Sequence, residues 1–429
     1  MINKTLKNIL QNYQALPSAP FSQSHTSAYV RGFLKEAGIV ADENSHFILV
    51  RPDSADKNKR NLLLMAHLDH PAMVLKDRNR GVILGLKDTT QISKYLESHP
   101  IKIRIFDPKG QSIGKADIKR IIPGPRQEIE ISSDFNIPKN SIGMLDVESY
   151  EENEETLKLY NADDGIMVCI LLYLLKEKML GDTYNTHIAF MKHEEVHQVS
   201  SWEFAKSNPL GLSDNDLILN LECAKTESVD NEKYGRIDYN GGIVLQLSTG
   251  DCLLGYKTPG PNLVELAVKA IAKKEGTELQ IGVVKDSCDS RPLTQFALSP
   301  NICTLTIPNK YKHDGADDGM IRPEEIHISD ILATLKVLTS FSSTPIDFTS
   351  PELGSSLSEK LKMEKAVTNE IRLHDKEVLN ERLAIAYKNM VARGYYYPES
   401  FVDRVRDFIY KYLSYSYYFF LKASKRGVK

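Results

Sequence analysis

The sequence contains 429 residues, of which 41% are hydrophobic, so it can form two or three domains with buried cores, and a purely disordered chain is excluded. Its 54 basic and 57 acidic residues leave a net charge of -3, which provides no overall attraction to nucleic acid or to anionic membranes. The five cysteines are far apart and odd in number, which indicates free thiols in a reducing compartment.

We expect neither a signal peptide nor a membrane span. Residues 1–20 lack an apolar segment of the length that a signal peptide needs. No later stretch approaches the roughly 18 apolar residues of a transmembrane helix. We therefore expect a cytoplasmic protein without a membrane span and without a nucleic-acid partner.

The first part of the chain and the part after residue 160 have the pattern of an α/β domain. Helical periodicity runs from Lys4 to Leu34, and the short apolar run Asn61–Ala66 is typical of a central strand covered on both faces. From Gly165 to about residue 310, helices and strands alternate, which favours a layered sandwich. The predicted elements there are the helix from Gly165, strand His187–Met191, helix SSWEFAK, strand Leu217–Glu222, helix NLVELAVKAIAKKEG, and strands LQIGVV and ICTLTI.

Two segments differ from this pattern. Residues 76–160 contain short strands (GVILGL, IKIRIF, QEIEI) separated by Gly, Pro, Asn and Asp, with no long helix, which predicts a small all-β insertion. After a Pro- and Ser-rich connector, the chain has a helical pattern to its end. The predicted organisation is an α/β domain of residues 1–75 and 161–344, an inserted β-rich domain of residues 76–160, and a helical C-terminal extension of residues 345–429.

Acidic residues and histidines stand where predicted strands end, which is where open α/β sheets generally collect their functional groups. His67 and Asp69 are two residues apart on an extended strand, so they share a face and the carboxylate can orient the imidazole. The other candidates, in chain order, are Asp163, Glu194, Glu195, Glu222 and His313.

These residue types suit a pair of divalent metal ions. Two ions about 3.5 to 4 Å apart need a bridging carboxylate, further ligands for each ion, and a carboxylate off the metals that can deprotonate a bridging water. Glu194 is predicted as this general base, and later as the acid. The predicted ligands are His67 and Glu222 for one ion, Glu195 and His313 for the other, and Asp163 between the two.

The order HLD, ADDG before an apolar helix, KHEE, LE and a late histidine resembles the co-catalytic dinuclear zinc exopeptidases, and most closely the glutamyl or tetrahedral aminopeptidase family. That family inserts a dimerising β-barrel between the motifs that His67 and Asp163 match, and these residues are 96 positions apart here. The resemblance runs from about Phe33 to Ser343, including PEEI after His313, and leaves the C-terminal helices uncovered.

The resemblance implies a three-layer α/β sandwich with a mixed sheet, an inserted barrel, and a catalytic role for the α/β domain. It implies the same ligand and base roles, a cis peptide bond between Asp163 and Asp164, and two metal ions per subunit, zinc first and cobalt or manganese as alternatives. The implied activity is that of an aminopeptidase acting on short peptides, in a homo-oligomer of two or more chains.

Three alternatives stay open. The aminopeptidases usually have Asp at the position of Glu222, whereas carboxypeptidase and N-acyl amino acid deacylase relatives often have Glu. A carboxypeptidase and an N-acyl amino acid deacylase are therefore the first two alternatives. A non-catalytic binding protein with a peptidase fold is the third.

The segment CDSRPL resembles a loop that borders the substrate pocket of the family, which makes Asp289 and Arg291 candidate specificity residues.

A different metal motif is also present. Residues His193–His197 spell HExxH, in which histidines four apart on a helix bind one zinc ion. The preceding β-branched and aromatic residues predict instead a strand that passes into a loop. His193 and His197, like His70, are therefore expected to be ordinary histidines without a role in the metal centre.

Overall fold

The computed structural model describes most of the chain up to residue 345, so the predicted helical extension lies, from residue 346 onward, outside the described residues. The described residues are 2–86, 90–122, 127–226, 237–249, 252–254, 262–284, 287–315 and 320–345. None of the helices in this part combines the length and the apolarity that crossing a membrane requires. The helices are α1 Lys4–Gln14, α2 Ser24–Glu36, α3 Thr90–Ser98, α4 Gly165–Lys176, α5 Val199–Ser207, α6 Leu263–Glu275, α7 Ser290–Gln295 and α8 Ile328–Ser343.

The strands fall into one large sheet and one barrel. The strands of the large sheet are β1 Ala41–Glu43, β2 Phe47–Val50, β3 Asn61–His67, β10 Tyr150–Glu152, β11 Thr156–Leu159, β12 Asn185–Met191, β13 Leu217–Lys225, β14 Ile243–Thr249, β15 Cys252–Leu253, β16 Leu279–Val284, β17 Ile302–Lys310 and β18 Glu324–His327. The strands of the barrel are β4 Ala72–Leu75, β5 Arg80–Leu84, β6 Ile101–Phe106, β7 Ser112–Ile122, β8 Glu128–Ser132 and β9 Ser141–Leu145.

The large sheet is mixed. Its order is β1-β2-β12-β3-β13-β17-β18-β11-β10, and β14 pairs with β15, β16 and β17 beside this path. The strands β12, β3, β13 and β17 run parallel, whereas β2, β14 and β18 run antiparallel to their neighbours among these four. The carboxyl ends of four adjacent strands therefore meet at one edge of the sheet, as a site in an α/β fold requires.

Alternate residues of β3 show why the fold has three layers. Leu62 and Leu64 pack into a core with α1, α4, α6 and α8. Leu63 points the other way and packs with Phe204 of α5 and Leu293 of α7. Because successive side chains of a strand face opposite sides of the sheet, a continuously apolar strand requires cover on both faces. The predicted three-layer sandwich with a mixed sheet is confirmed.

The inserted segment closes into a barrel. The order of its antiparallel strands is β4-β5-β8-β7-β6-β9, with β9 pairing β4 to complete the circle. Ile101, Ile103 and Ile105 of β6 are buried, while Lys102 between them is exposed, which is the alternation of a strand with one face inside. The strands β10 and β11, within the predicted 76–160 segment, belong to the large sheet, and β4 lies before residue 76. The domain boundaries themselves stay predictions.

The expectation of an all-β insertion is wrong in one place. Helix α3 occupies Thr90–Ser98 between β5 and β6. Its sequence TQISKYLES places Ile92, Tyr95 and Leu96 at helical spacing, and Ile92 is buried. The segment is short and polar, so its periodicity extends over too few residues to stand out beside the strand patterns that flank it.

Candidate metal centre

The predicted ligands gather at the carboxyl edge of the parallel strands. His67 is the last residue of β3, Glu195 follows the end of β12, and Glu222 lies near the end of β13. His313 follows β17 by three residues, and Asp163 lies in the turn that precedes α4. The parallel registers of β12, β3, β13 and β17 bring these five residues together from positions up to 246 apart in the chain, between residues 67 and 313.

The five side chains form two overlapping sets that share Asp163. In the first set, which we call the His67 position, His67 Nε2 lies 3.5 Å from Asp163 Oδ1 and 3.6 Å from Glu222 Oε1. In the second set, the His313 position, His313 Nε2 lies 3.1 Å from Asp163 Oδ2 and 3.0 Å from Glu195 Oε1. Two ligand atoms that share a tetrahedral ion at about 2.0 to 2.2 Å are roughly 3.3 to 3.6 Å apart. The His67 position has this spacing, whereas the two pairs of the His313 position lie closer, at hydrogen-bond distance.

Buried atoms without partners support the same assignment. His67 Nε2 and Asp163 Oδ1 are both buried, and neither has a hydrogen-bond partner among the described residues. Atoms of His67, Asp163 and Glu195 also lie within 4.8 Å of one another as a group able to hold a metal ion. A buried donor or acceptor that is left unpaired is costly, so such a pair of atoms points to a missing partner. The residues therefore fit a metal ion.

The buried carboxylates of the cluster require positive charge close by. Burial raises the pKa of Glu222, as does the nearby Asp163, and together they bring it to about 7 despite the neighbouring Lys312. Burial also tends to raise the pKa of Asp163, but Lys312 and His313 hold it well below its usual range. Burial tends to lower the pKa of His313, yet Glu195 and Asp163 raise it well above its ordinary value. Three buried carboxylates close together are stable only with positive charge among them.

Solved structures of peptidases have the same architecture. The TET1 peptidase of Pyrococcus horikoshii has a TM-score of 0.62 and 15% identity, and the match covers 79% of this chain and 100% of that one. An aminopeptidase from the archaeon Desulfurococcus kamchatkensis has the same score and identity, with coverages of 82% and 97%. An aminopeptidase of the M18 family from Thermotoga maritima has a TM-score of 0.55 and 12% identity, with coverages of 80% and 98%.

The chain has the fold of the tetrahedral aminopeptidases. The structural neighbours confirm the resemblance inferred from the motifs at the level of the fold. This chain also has the inserted barrel that the resemblance implied. The peptide bond between Asp163 and Asp164 is cis, as the resemblance implied. No protein-family model matches the sequence, and no curated protein sequence matches it either.

Within this tetrahedral-aminopeptidase fold, Asp69 acts differently from the sequence-based expectation. Its backbone carbonyl, not its carboxylate, accepts the Nδ1 proton of His67 at 2.9 Å, while the nearest carboxylate oxygen is 3.7 Å from Nδ1. The carboxylate accepts the backbone N–H groups of Glu194 at 2.9 Å and Glu195 at 3.1 Å. Asp69 thus leaves His67 Nε2 available for a metal and fixes the loop that carries the two glutamates.

Glu194 is buried beside the cluster. Its Oε1 accepts a hydrogen bond from Gln198 Nε2 at 2.8 Å, which fixes the side chain. Burial, followed by the neighbouring charge of Glu195, raises the pKa of Glu194 well above its ordinary value. A buried carboxylate that is held in place and is basic for its type has the properties of a general base.

The HExxH segment is not a helix. Strand β12 ends at Met191, the segment that follows is a loop, and α5 begins only at Val199. His197 has a φ of 71°, which an α-helix does not allow, and His193 stacks on Phe21 and contacts Ser200 Oγ at 3.0 Å. The predicted passage from strand to loop is confirmed, and the helical zinc motif is excluded as an interpretation of these residues.

Three residues that the sequence analysis left without a role contact the predicted ligands. His70, which we expected to be an ordinary histidine, is fully buried, and its Nδ1 lies 2.9 Å from the backbone oxygen of Asp163. Glu324 Oε2 accepts the backbone N–H of Asp163 at 2.9 Å, and its Oε1 accepts that of His313 at 2.8 Å. Lys312 Nζ lies 2.9 Å from Asp163 Oδ2. The PEEI sequence was the available signal for Glu324, and no comparable signal exists for His70 or Lys312.

The candidate specificity residues lie at the start of α7. Asp289 is buried, and its Oδ1 accepts a hydrogen bond from Ser201 Oγ at 2.5 Å. Burial raises its pKa to about 6. Arg291 NH1 donates to Ser287 Oγ at 2.8 Å. The charge of Asp289 reaches Glu194, whose pKa it helps to raise, and a role of either residue in substrate choice stays a prediction.

Proposed function

We propose that this protein is a dinuclear metal-dependent aminopeptidase that hydrolyses short peptides. The observation that carries the proposal is the cluster of two histidines and three carboxylates, in which Asp163 belongs to both the His67 position and the His313 position. The spacing of the His67 position suits a divalent ion, and the cluster lies at the strand ends, where an α/β fold binds its substrate. The tetrahedral-aminopeptidase fold favours a peptidase over other metal-dependent hydrolases.

The residues of this chain have distinct roles in the proposed reaction. His67, Glu222, Glu195, His313 and the shared Asp163 would hold the ions, which would be zinc in the first instance and cobalt or manganese as alternatives. When bound, such ions would supply polarisation of a substrate carbonyl and a lower pKa for a water at the site. The hydrogen bonds of Asp69, His70 and Glu324 to these segments would keep the ligand atoms in place.

Glu194 moves the proton. Its carboxylate lies beside the ligands without belonging to either metal position, and burial makes it more basic than an exposed glutamate. It accepts the proton of the attacking water and then delivers it to the amine that leaves. The hydrogen bond from Gln198 keeps the carboxylate in one orientation through both transfers.

A second function is favoured by Glu222. In the carboxypeptidase and deacylase relatives a glutamate often stands at this position, and the substrate is then a peptide with a free carboxylate or an acylated amino acid. The retained cluster argues against the further alternative of a non-catalytic binding protein, since such a protein has no need of five converging ligands.

We also propose that the chain forms a homo-oligomer. The TET1 peptidase of Pyrococcus horikoshii is described as assembling into a tetrahedron or a large octahedral shell. The closed barrel of residues 72–145 is the part of the chain that the family resemblance assigns to dimerisation.

A peptide panel tests the function. The full-length protein is loaded with zinc, cobalt or manganese and offered short peptides with free or blocked termini, together with N-acyl amino acids. We expect cleavage that requires a free N-terminus, loss of activity with a chelator, and a large loss of activity for the Glu194→Gln variant. Cleavage that requires a free carboxylate, or release of an acyl group, would replace the aminopeptidase by the second function. Absence of any hydrolysis would favour the binding protein.

A further inference from the structure

The connector between α1 and α2, residues 15–23, is largely buried although it forms neither a helix nor a strand. Connectors usually run over the surface of a protein because their backbone polar groups need water. The prolines of this connector have no N–H group to satisfy, which lowers the cost of burying it. Its buried residues are Pro17, Ser18, Ala19, Pro20 and Gln23.

The residue before the connector pairs with the loop that carries Asp163. Gln14, the last residue of α1, donates from Nε2 to the backbone oxygen of Asn161 at 2.6 Å, and its Oε1 accepts the backbone N–H of Asn161 at 2.8 Å. Asn161 is two residues before Asp163, the carboxylate that belongs to both metal positions. A side-chain amide carries both a donor and an acceptor, so Gln14 satisfies both backbone groups of Asn161 at once.

A serine within the connector holds the loop that follows β3. Ser18 is fully buried, and its Oγ donates to the backbone oxygen of Leu68 at 2.9 Å. The hydroxyl of Tyr13 lies 3.5 Å from the same oxygen, at the limit of a hydrogen bond. Leu68 directly follows His67, so Ser18 fixes the backbone beside a predicted ligand.

The end of the connector holds the loop that carries the two glutamates. The side-chain amide of Gln23 donates to the backbone oxygen of Lys192, two residues before Glu194. The ring of Phe21 stacks on that of His193, with the ring centroids 4.7 Å apart. This loop therefore has both a polar and an aromatic contact with the connector.

One buried segment thus contacts three loops that converge on the metal centre. Asp69 joins the first of these loops to the third, and Glu324 joins the second to His313, whereas the connector contacts all three. Functional groups must keep their positions to within about 0.5 Å. A misplacement of about 1 Å can cost about 100-fold in rate. Hydrogen bonds that fix the loop backbones therefore affect the spacing of the groups that the loops carry.

We propose that Gln14, Ser18 and Gln23 are positioning residues of the metal centre, and that they hold the three loops at the spacing that metal binding and Glu194 require. This inference rests on the proposed function. The three side chains act through the backbone of the loops, and they take no part in the proton transfers assigned to Glu194.

Zinc affinity and kinetics test the inference. Full-length variants are freed of metal with a chelator and titrated with Zn²⁺ in competition with a chromophoric chelator. Ser18→Ala, Gln14→Met and Gln23→Met each remove hydrogen bonds without adding bulk. The zinc dissociation constant of each should rise about 10- to 100-fold, as is typical when a group that orients metal ligands is lost. At saturating zinc, kcat for a good peptide substrate should fall while KM changes little, because the connector acts on the loops rather than on the substrate.

Ser299→Ala is the matched control. Ser299 is buried, and its Oγ donates to the backbone oxygen of Asp216 at 2.6 Å. These two residues precede β17 and β13, at the opposite edge of the sheet from the metal centre. The control therefore removes a buried hydrogen bond of the same type, and it should lower the free energy of unfolding about as much as Ser18→Ala while leaving zinc affinity unchanged. Circular dichroism establishes that each variant is folded before its affinity is compared.

Hydrogen exchange tests the inference on the unaltered protein. If the connector favours the loop arrangement that binds metal, metal must stabilise the connector in return, because the coupling of two equilibria is reciprocal. Backbone amides of residues 13–23 should therefore exchange about 10-fold more slowly, or slower still, in the zinc-loaded than in the metal-free protein. Amides next to Ser299 should change less.

The outcomes separate the inference from the proposed function. If the three variants bind zinc as tightly as Ser299→Ala does, the inference is overturned while the metal centre stands. Exchange of residues 13–23 that zinc leaves unchanged overturns it in the same way, and this measurement decides the inference even if the variants do not fold. If the unaltered protein binds neither zinc nor cobalt, both the inference and the proposed function are overturned.

Discussion

Glu324 offers the sharpest test of how the metal centre is built. The side chain is fully buried, and its two oxygens accept hydrogen bonds from four donors. Oε2 accepts the backbone N–H groups of Ala162 at 2.6 Å and Asp163 at 2.9 Å. Oε1 accepts the side-chain amide of Asn309 at 3.0 Å and the backbone N–H of His313 at 2.8 Å. One carboxylate thus connects the segments that carry two of the ligands.

The substitution Glu324→Gln removes half of this arrangement without changing the shape of the side chain. Whichever oxygen becomes the amide nitrogen, two buried donors lose their acceptor and face another donor. Each unsatisfied buried group costs about 1 to 2 kcal/mol, so the free energy of unfolding should fall by about 2 to 4 kcal/mol. Removal of a group that orients metal ligands typically lowers metal affinity about 10- to 100-fold.

Urea unfolding and zinc titration measure the two effects. The matched control is Glu325→Gln, the next residue of β18, whose carboxylate pairs with Lys310 near the surface and whose loss should cost less than about 1 kcal/mol. The slope of the urea transition should not change, since the surface exposed on unfolding is the same. If Glu324→Gln is no more destabilising than Glu325→Gln and keeps its zinc affinity, the proposed role of this carboxylate is wrong.

Three further predictions concern proton transfer, metal binding and pH. Glu194→Gln should retain its metal and lose about 100- to 10,000-fold in kcat, as measured with a good peptide substrate. His67→Ala should reduce retained zinc while His197→Ala should not, and the reverse result would support the HExxH motif instead. Burial lowers the pKa of His187 from 6.5 to about 4. As the pH falls, His187 is protonated near pH 6.5 in the unfolded chain but only near pH 4 in the folded chain. The free energy of unfolding therefore has its full value above about pH 6.5 and falls by up to about 3 kcal/mol toward pH 4. His187→Gln should make urea midpoints less dependent on pH over this range, and equal dependence would contradict the assignment.

The fold was largely predictable because its signals are local. A continuously apolar run such as Asn61–Ala66 indicates a strand with cover on both faces, and the structure buries Leu62 and Leu63 in separate cores. The strand ends then indicate which edge of the sheet collects functional groups. Helix α3 was missed because nine polar-rich residues carry too weak a periodicity.

The contacts around the ligands depended on residues that are distant in the chain. Glu324 lies 161 positions from Asp163, and only the pairing of β18 with β11 and β17 brings it beneath the turn before α4. Asp69 shares a strand face with His67 in the sequence pattern, but the chain leaves β3 after His67, so the carboxylate turns toward the Glu194–Glu195 loop.

The sequence alone predicted the kinds of candidate ligand, their order along the chain and the strands that carry them, because those depend on residue type and short-range periodicity. Only the tertiary structure decided which other side chains lie among the candidate ligands. Lys312 is adjacent to a predicted ligand, yet its presence among the carboxylates results from left-handed backbone angles in the turn Tyr311–Asp314. Such angles are imposed on residues other than glycine by the packing around them, and no pattern in the sequence announces them.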